Sequence, residues 1–234
     1  MNILTDSISL LDLSDALATP TARRAIEDIA GENYANASIL LEQEYSKNNK
    51  VYIHQNDAGQ PDAFFMVGWS KMDGVEGQTV FLGLSSVSNR VKSRGIGKSL
   101  YRAFFDDAAE SMRLTGIQVT WWFHTATPAV ANAFWNIAQE TVPRPDGSFN
   151  ESNRRIVEII KRHYGMDSYA CSSHPFVLRG YAKARYALDE VQRIEAYFAG
   201  ANQDHLLKRF AIDERNGDRV LFMGQITSGR VGKP

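Results

Sequence analysis

A single cysteine stands among the 234 residues, so the chain closes no internal disulfide and offers no cysteine cluster to zinc. A lone thiol is also what a reducing compartment leaves in place. Neither charge is in excess: 26 Lys and Arg face 27 Asp and Glu, for a formal net charge of -1. That balance removes the general electrostatic case for nucleic acid or an anionic membrane as partner, since both rest on a basic surplus. No run of about 18 apolar residues occurs. The first residues lack the charged-then-apolar pattern of a signal peptide, so a cytoplasmic protein without a membrane span is expected. Internal repeats, low-complexity tracts and Pro/Gly/Ser linkers are missing too, which favours one domain. The five histidines are scattered, with no His-x-x-x-His and no acid pairs at ligand spacing, so no metal site is expected. What is present is 44% hydrophobic residues, enough for a core that needs no staples.

Periodicity orders the chain. Over 21–45, Ala25, Ile26, Ile29, Tyr34, Ile39, Leu40 and Leu41 fall at helical spacing, with Gly31 as a break between two helices. Three β-rich runs follow, at 51–53, 63–69 and 79–87. Turn residues separate them, Asn56-Asp57-Ala58-Gly59-Gln60-Pro61 and Asp73-Gly74-Val75-Glu76-Gly77, and the arrangement predicts an antiparallel meander. From 97 to 114 a helical stripe of Leu100, Phe104, Phe105, Ala108 and Met112 runs up to Gly116, a helix terminator. A strand over 117–124 and a helix opened by Pro128 complete a βαβ crossover, which requires a parallel strand pair. Beyond it lie helix candidates at 154–164 and 182–198, a short strand at 174–178 and a closing strand at 219–226. The expected fold is mixed α/β, an α+β mixed sheet that joins a meander to a βαβ unit. The tail from 229 to 234 reads as disordered.

The stretch that carries chemistry is Val87-Ser88-Asn89-Arg90-Val91-Lys92-Ser93-Arg94-Gly95-Ile96-Gly97-Lys98-Ser99-Leu100. It joins a strand to a helix through a glycine-rich turn. Glycines let backbone N–H groups converge, the helix N-terminus adds partial positive charge, and Lys92, Arg94 and Lys98 add cations, so a phosphate or pyrophosphate is the expected occupant. A Walker loop ending in Gly97-Lys98-Ser99 needs glycine where Lys92 stands. A dinucleotide fingerprint starting at Gly95 needs glycine or alanine where Leu100 stands, and a meander precedes it instead of a first βαβ strand.

The stretch resembles the acetyl-CoA-binding motif of the GNAT superfamily of N-acetyltransferases, a strand ending in valine followed by Arg/Gln-x-x-Gly-x-Gly/Ala at the start of a helix. Lys92 takes the Arg/Gln position, a departure, and Gly95-Ile96-Gly97 supplies the turn. The resemblance covers 52–139, extends to 22–50 and 218–226, and fails over 140–217. It implies a GNAT-like fold around a splayed central strand pair, with acetyl-CoA or another acyl-CoA as donor. The cofactor would be held by Ser85, Ser86, Val87, Lys92, Ser93, Arg94, Gly95, Ile96, Gly97, Lys98 and Ser99, with Asn132 and Trp135 near its arm. The implied activity is acyl transfer to a primary amine of a small molecule or peptide, with a homodimer possible. A CoA-binding sensor without catalysis, or fatty-acyl transfer from a carrier protein, are the alternatives. The 140–217 segment is expected as an inserted helical subdomain covering the acceptor side.

Acyl transfer to an amine needs a base, a polarised thioester carbonyl and a proton for the leaving sulfur. The resemblance assigns the carbonyl to the backbone near Val87. It places Trp135 where the family carries an acidic tyrosine, and indole has no acid chemistry. Tyr101, Tyr164 and Tyr169 are therefore the candidate acids, with Tyr164 taken as the catalytic one. No acid occurs between Thr79 and Val87. His124, at the end of the next strand and with a near-neutral ordinary pKa, is taken as the base; Glu76, His54 and His174 are weaker choices.

Overall fold

A computed structural model describes residues 7–138, 140–199 and 204–226. Seven strands form one mixed sheet: β1 (Ser7–Asp12), β2 (Lys50–Gln55), β3 (Pro61–Ser70), β4 (Gln78–Val87), β5 (Val119–Thr125), β6 (Val177–Leu178) and β7 (Arg219–Gln225), in spatial order β1-β2-β3-β4-β5-β7-β6. The first four strands are an antiparallel meander, β4 and β5 run parallel, and β7 lies antiparallel to both β5 and β6. Among the described residues eight α-helices surround the sheet: α1 (Leu13–Ala18), α2 (Pro20–Gly31), α3 (Ala37–Tyr45), α4 (Ile96–Thr115), α5 (Pro128–Ile137), α6 (Glu151–His163), α7 (Leu188–Ala199) and α8 (Leu206–Arg209). This is the order that the sequence predicts, helices, meander, helix, strand, helix and closing strands.

Alternation along the strands divides the core. Val51, Ile53, Phe64 and Met66 meet Leu13, Ile26, Ile29 and Leu41 of the first three helices, whereas Tyr52, Phe65 and Val67 meet Leu100 and Phe104 of α4. Period two in the strand and 3.6 in the helix together produce the two faces. In β5 the neighbouring tryptophans part in the same way. Trp121 lies against Phe105 and Phe134 of α4 and α5, and Trp122 packs at a tilt against Tyr164 at the end of α6, with ring centroids 4.6 Å apart. Helices α4 and α5 therefore cover one face. On the other, α1–α3 and α6 leave the middle of the sheet uncovered by helix.

Three expectations need correction. Residues 7–12, not read as a strand, extend the meander by pairing with β2. The helix expected over 182–198 begins only at Leu188, because 182–187 runs extended and bridges Tyr186 to Tyr34. The segment 140–217 is not purely helical, since it supplies β6 to the common sheet and buries Val157, Ile160, Phe176 and Leu206 in the main core. The tail 229–234 lies outside the described residues. Among the described residues no helix is long and apolar enough to cross a membrane, and no group of three or more His, Cys, Asp or Glu is arranged to hold a metal ion.

Phe104 is fully buried and meets the rings of Tyr52, Phe65, Trp69 and Phe105. Phe104→Ala is expected to cost about 3–5 kcal/mol of folding stability through the cavity it leaves, read from the shift of the urea unfolding midpoint.

Candidate active site

The parallel pairing of β4 with β5 runs only from Gln78↔Val119 to Phe81↔Trp122. Beyond it the strands diverge, and a bulge explains why. Between Val67↔Leu82 and Phe65↔Ser85, two β4 residues, Gly83 and Leu84, oppose Met66 alone, and an extra residue of this kind bends the strand that carries it. β5 meanwhile stays paired with β7 as far as Thr125↔Val220. The remainder of β4, 82–87, thus has its β5-facing edge open.

A cavity of about 1060 Å³ occupies the splay. At one end is the turn read from the sequence. Ser93 and Gly95 have positive φ, 70° and 85°, and Gly95 caps the N-terminus of α4. A Cβ at Gly95 would meet nothing within 4 Å, and one at Gly97 would meet only Val87 Cγ2 at 3.7 Å. Glycine at 95 answers to backbone conformation, while at 97 the protein leaves room beside a helix N-terminus. That is a cradle an anion fits.

Ser85, Ser86 and Val87 line the cavity, as do Lys92, Ser93, Gly95, Ile96, Gly97 and Lys98. Arg94 and Ser99 do not. Lys92 is committed to an ion pair with Glu190 of α7, Nζ to Oε2 at 3.1 Å. Asn33 ties the motif strand to α2, donating to Ser86 Oγ at 2.8 Å and to the Val87 carbonyl at 3.1 Å. Asn132 and Trp135 lie outside the lining. The indole N–H of Trp135 donates to the Pro143 carbonyl at 2.9 Å, and the Asn132 amide donates to Tyr197 Oη at 2.8 Å. Both side chains therefore hold the later segment in place. Thr127 does the same, donating to Tyr186 Oη at 2.9 Å, so 186–197 crosses over the cradle end of the cavity.

At the other end the floor is Phe81 and His124, walled by Tyr164, Tyr169 and Tyr181. Here the sequence reading missed the central group. Glu44, in the last turn of α3, is buried, and its Oε2 accepts from the backbone N–H of Leu84 in the bulge and from the Asn48 amide, both at 3.1 Å. The contact requires glycine at 83, where a Cβ would sit 2.5 Å from Asn48 Oδ1 and 2.7 Å from Glu44 Oε2. Burial raises the Glu44 pKa, partly offset by Lys47 and the two hydrogen bonds. The signal available in the sequence was an acid three residues after Leu41, on the buried stripe of α3.

His124 reaches the cavity, but burial and then the charges of Lys47 and Arg219 hold its pKa down at about 3. At neutral pH it is an uncharged and weak base, which corrects the role expected of it. Neither ring nitrogen has a hydrogen-bond partner. Tyr164 lines the cavity and burial raises its pKa. Tyr101 of α4 also lines it. Its hydroxyl is 2.7 Å from Ser85 Oγ, just past the bulge, and burial pushes its pKa up to about 12. His54, paired with Asp62, and His174, whose ring lies tilted against Phe210 with centroids 4.1 Å apart, are outside the cavity lining.

No protein-family model and no curated protein matches the chain. Among solved structures, a GNAT family N-acetyltransferase from Escherichia coli in complex with CoA is similar at 16% identity, covering 57% of this chain and 69% of that one, with a TM-score of 0.42. An IAA acetyltransferase from Bacillus cereus is similar at 10% identity over 94% and 99% of the two chains, with a TM-score of 0.44. A GNAT family acetyltransferase from Brucella melitensis in complex with acetyl-CoA is similar at 17% identity over 50% and 75%, with a TM-score of 0.34. Likeness this remote assigns neither substrate nor partner.

His124 makes a pH prediction. Its folded pKa lies below the ordinary 6.5, so as pH falls from 6.5 the unfolded chain takes up a proton that the folded chain refuses, and stability drops. His124→Asn is expected to remove up to about 1 kcal/mol per pH unit of that drop between pH 6 and 4, seen by comparing urea midpoints of wild type and variant across the range.

Proposed function

We propose that this protein is a GNAT-type N-acyltransferase that moves an acetyl or other acyl group from CoA to a primary amine. The observation that carries the reading is a single cavity with an anion cradle at one end, a buried carboxylate at the other and an open strand edge between them. The turn and the α4 N-terminus offer N–H groups to a pyrophosphate. The open edge of 82–87 offers backbone donors and acceptors to an extended pantetheine arm, as a strand does to a neighbouring strand.

The acyl-CoA supplies a thioester, whose carbonyl carbon bonds the amine nitrogen as the carbon–sulfur bond breaks. Glu44 takes the proton that makes the incoming amine cationic, and its raised pKa suits that exchange. The second proton lost by the nitrogen balances the departing sulfur. Tyr101, held neutral by its raised pKa and set against Ser85 on the arm edge, relays it. Tyr164 walls the acceptor side instead. The segment 164–197 covers both ends of the cavity and keeps water from the thioester.

Two measurements test the reading. Saturating acetyl-CoA, at a hundred times its dissociation constant, is expected to stabilise the protein by about 2.7 kcal/mol in a thermal shift; ATP is expected to have no effect, and Gly97→Leu is expected to abolish the shift. Glu44→Gln is expected to keep the shift and lower kcat for thiol release by about 10²–10⁴. Absence of a shift with acetyl-CoA, longer acyl-CoAs and free CoA alike rejects the donor. A shift without thiol release from any amine makes the chain a CoA-binding sensor.

A further inference from the structure

The acceptor end of the cavity is more specific than amine transfer requires. Phe81 forms its floor, with the ring of His124 5.9 Å away on one side and Tyr164 6.2 Å away on the other. Tyr181 stands edge-on to His124 at 5.0 Å, and Tyr169 stands edge-on to Tyr181 at 5.4 Å. All five rings face the cavity. An enclosure of this kind takes a flat ring, by edge and face contacts between aromatic groups.

Two polar groups in the same enclosure lack hydrogen-bond partners among the described residues. Lys47 holds its ammonium 6.0 Å over the Phe81 ring and makes no hydrogen bond or ion pair among the described residues. The two ring nitrogens of His124 are buried and unbonded. Buried polar groups are bonded as a rule, and an exception inside a binding cavity points to a ligand that completes it. Lys47, Glu44 and His124 line the same cavity, and Lys47 acts electrostatically on the other two, so one ligand in that cavity meets the field of all three. A neutral imidazole offers one N–H donor, and a cation beside it favours an anionic oxygen as the common acceptor.

We propose that the acceptor is a free aromatic α-amino acid, its carboxylate held by Lys47 and the N–H of His124, its ring among Phe81, Tyr164 and Tyr181, and its amine turned to Glu44. This rests on the acyl-transfer reading and names the substrate class of that site. The carboxylate separates the proposed substrate from an arylalkylamine or a peptide N-terminus, and the ring separates it from a small aliphatic amino acid.

The test compares L-phenylalanine, phenethylamine, L-phenylalaninamide and L-alanine as acceptors with saturating acetyl-CoA, following thiol release. Calorimetric titration of L-phenylalanine into the CoA-loaded protein adds a readout that needs no turnover. L-Phenylalanine is expected to exceed phenethylamine and the amide by about tenfold or more in kcat/KM, the scale of one charge-assisted contact. Lys47→Met, with an unchanged circular dichroism spectrum and acetyl-CoA shift, is expected to bring that ratio close to one and to weaken L-phenylalanine binding by a similar factor. Preference for phenethylamine or L-alanine, or a ratio that Lys47→Met leaves intact, overturns the proposal. If CoA binds and some other amine is acylated while L-phenylalanine neither reacts nor binds, the acceptor assignment falls and the acyl-transfer reading stands. If no CoA species binds, both fall.

Discussion

One extra residue in β4 governs the site. With Gly83 and Leu84 set against Met66 alone, the strand turns away from β5 while β5 remains held by β7, and seven strands that would otherwise close into a continuous sheet open at the middle. The open edge, the cavity and the distance between anion cradle and carboxylate all follow from that divergence. So does the absence of a side chain at Gly83, since Glu44 and Asn48 lie where its Cβ would be. The bulge brings an acid from 40 residues away into hydrogen-bond contact with the motif strand. A buried carboxylate in this position is tolerated because a backbone N–H, an amide and a nearby ammonium answer its charge.

The second organising element is the later part of the chain. A sheet that opens at the middle exposes backbone and apolar floor to water, and 164–197 covers both. Tyr186 bridges to Tyr34, Glu190 pairs with Lys92 and Tyr197 meets Asn132, so the cover is fastened to the α2–α3 connection, to the glycine turn and to α5. Its tyrosines Tyr164, Tyr169 and Tyr181 wall the end of the cavity that holds Phe81 and His124. The segment that least resembles the GNAT pattern is thus the one that distinguishes this cavity, which agrees with the general tendency for a fold to supply the frame and for irregular segments to supply specificity.

Much of the frame was legible in the residues. Alternation in 51–53 and 63–69, the stripe from Leu100 to Met112, and the punctuation by Gly116 and Pro128 are local signals that burial then uses without alteration. The glycine turn is legible for the same reason, because backbone conformation at Gly95 and proximity to a helix start are properties of a short stretch. β1 was missed because its burial is slight: an edge strand with several exposed positions carries little periodicity. The helix at 182–198 was overextended because Tyr186 and Ala187 pair with the α2–α3 connection, a tertiary contact that overrides local preference.

The sequence by itself determined the element order, the parallel crossover and the glycine turn at the start of α4, since each depends on neighbours along the chain. Tertiary structure alone decided how the ionisable groups lining the cavity titrate. Glu44 and His124 carry opposite expectations in isolation, an ordinary surface acid and a near-neutral base. Burial raises the first, against the opposing pull of Lys47, and depresses the second to about 3, because desolvation penalises whichever form is charged. The resemblance likewise implies places near the cofactor arm for Trp135 and Asn132, but the side of α5 they occupy is fixed by Pro143 and Tyr197, residues whose proximity no local pattern encodes.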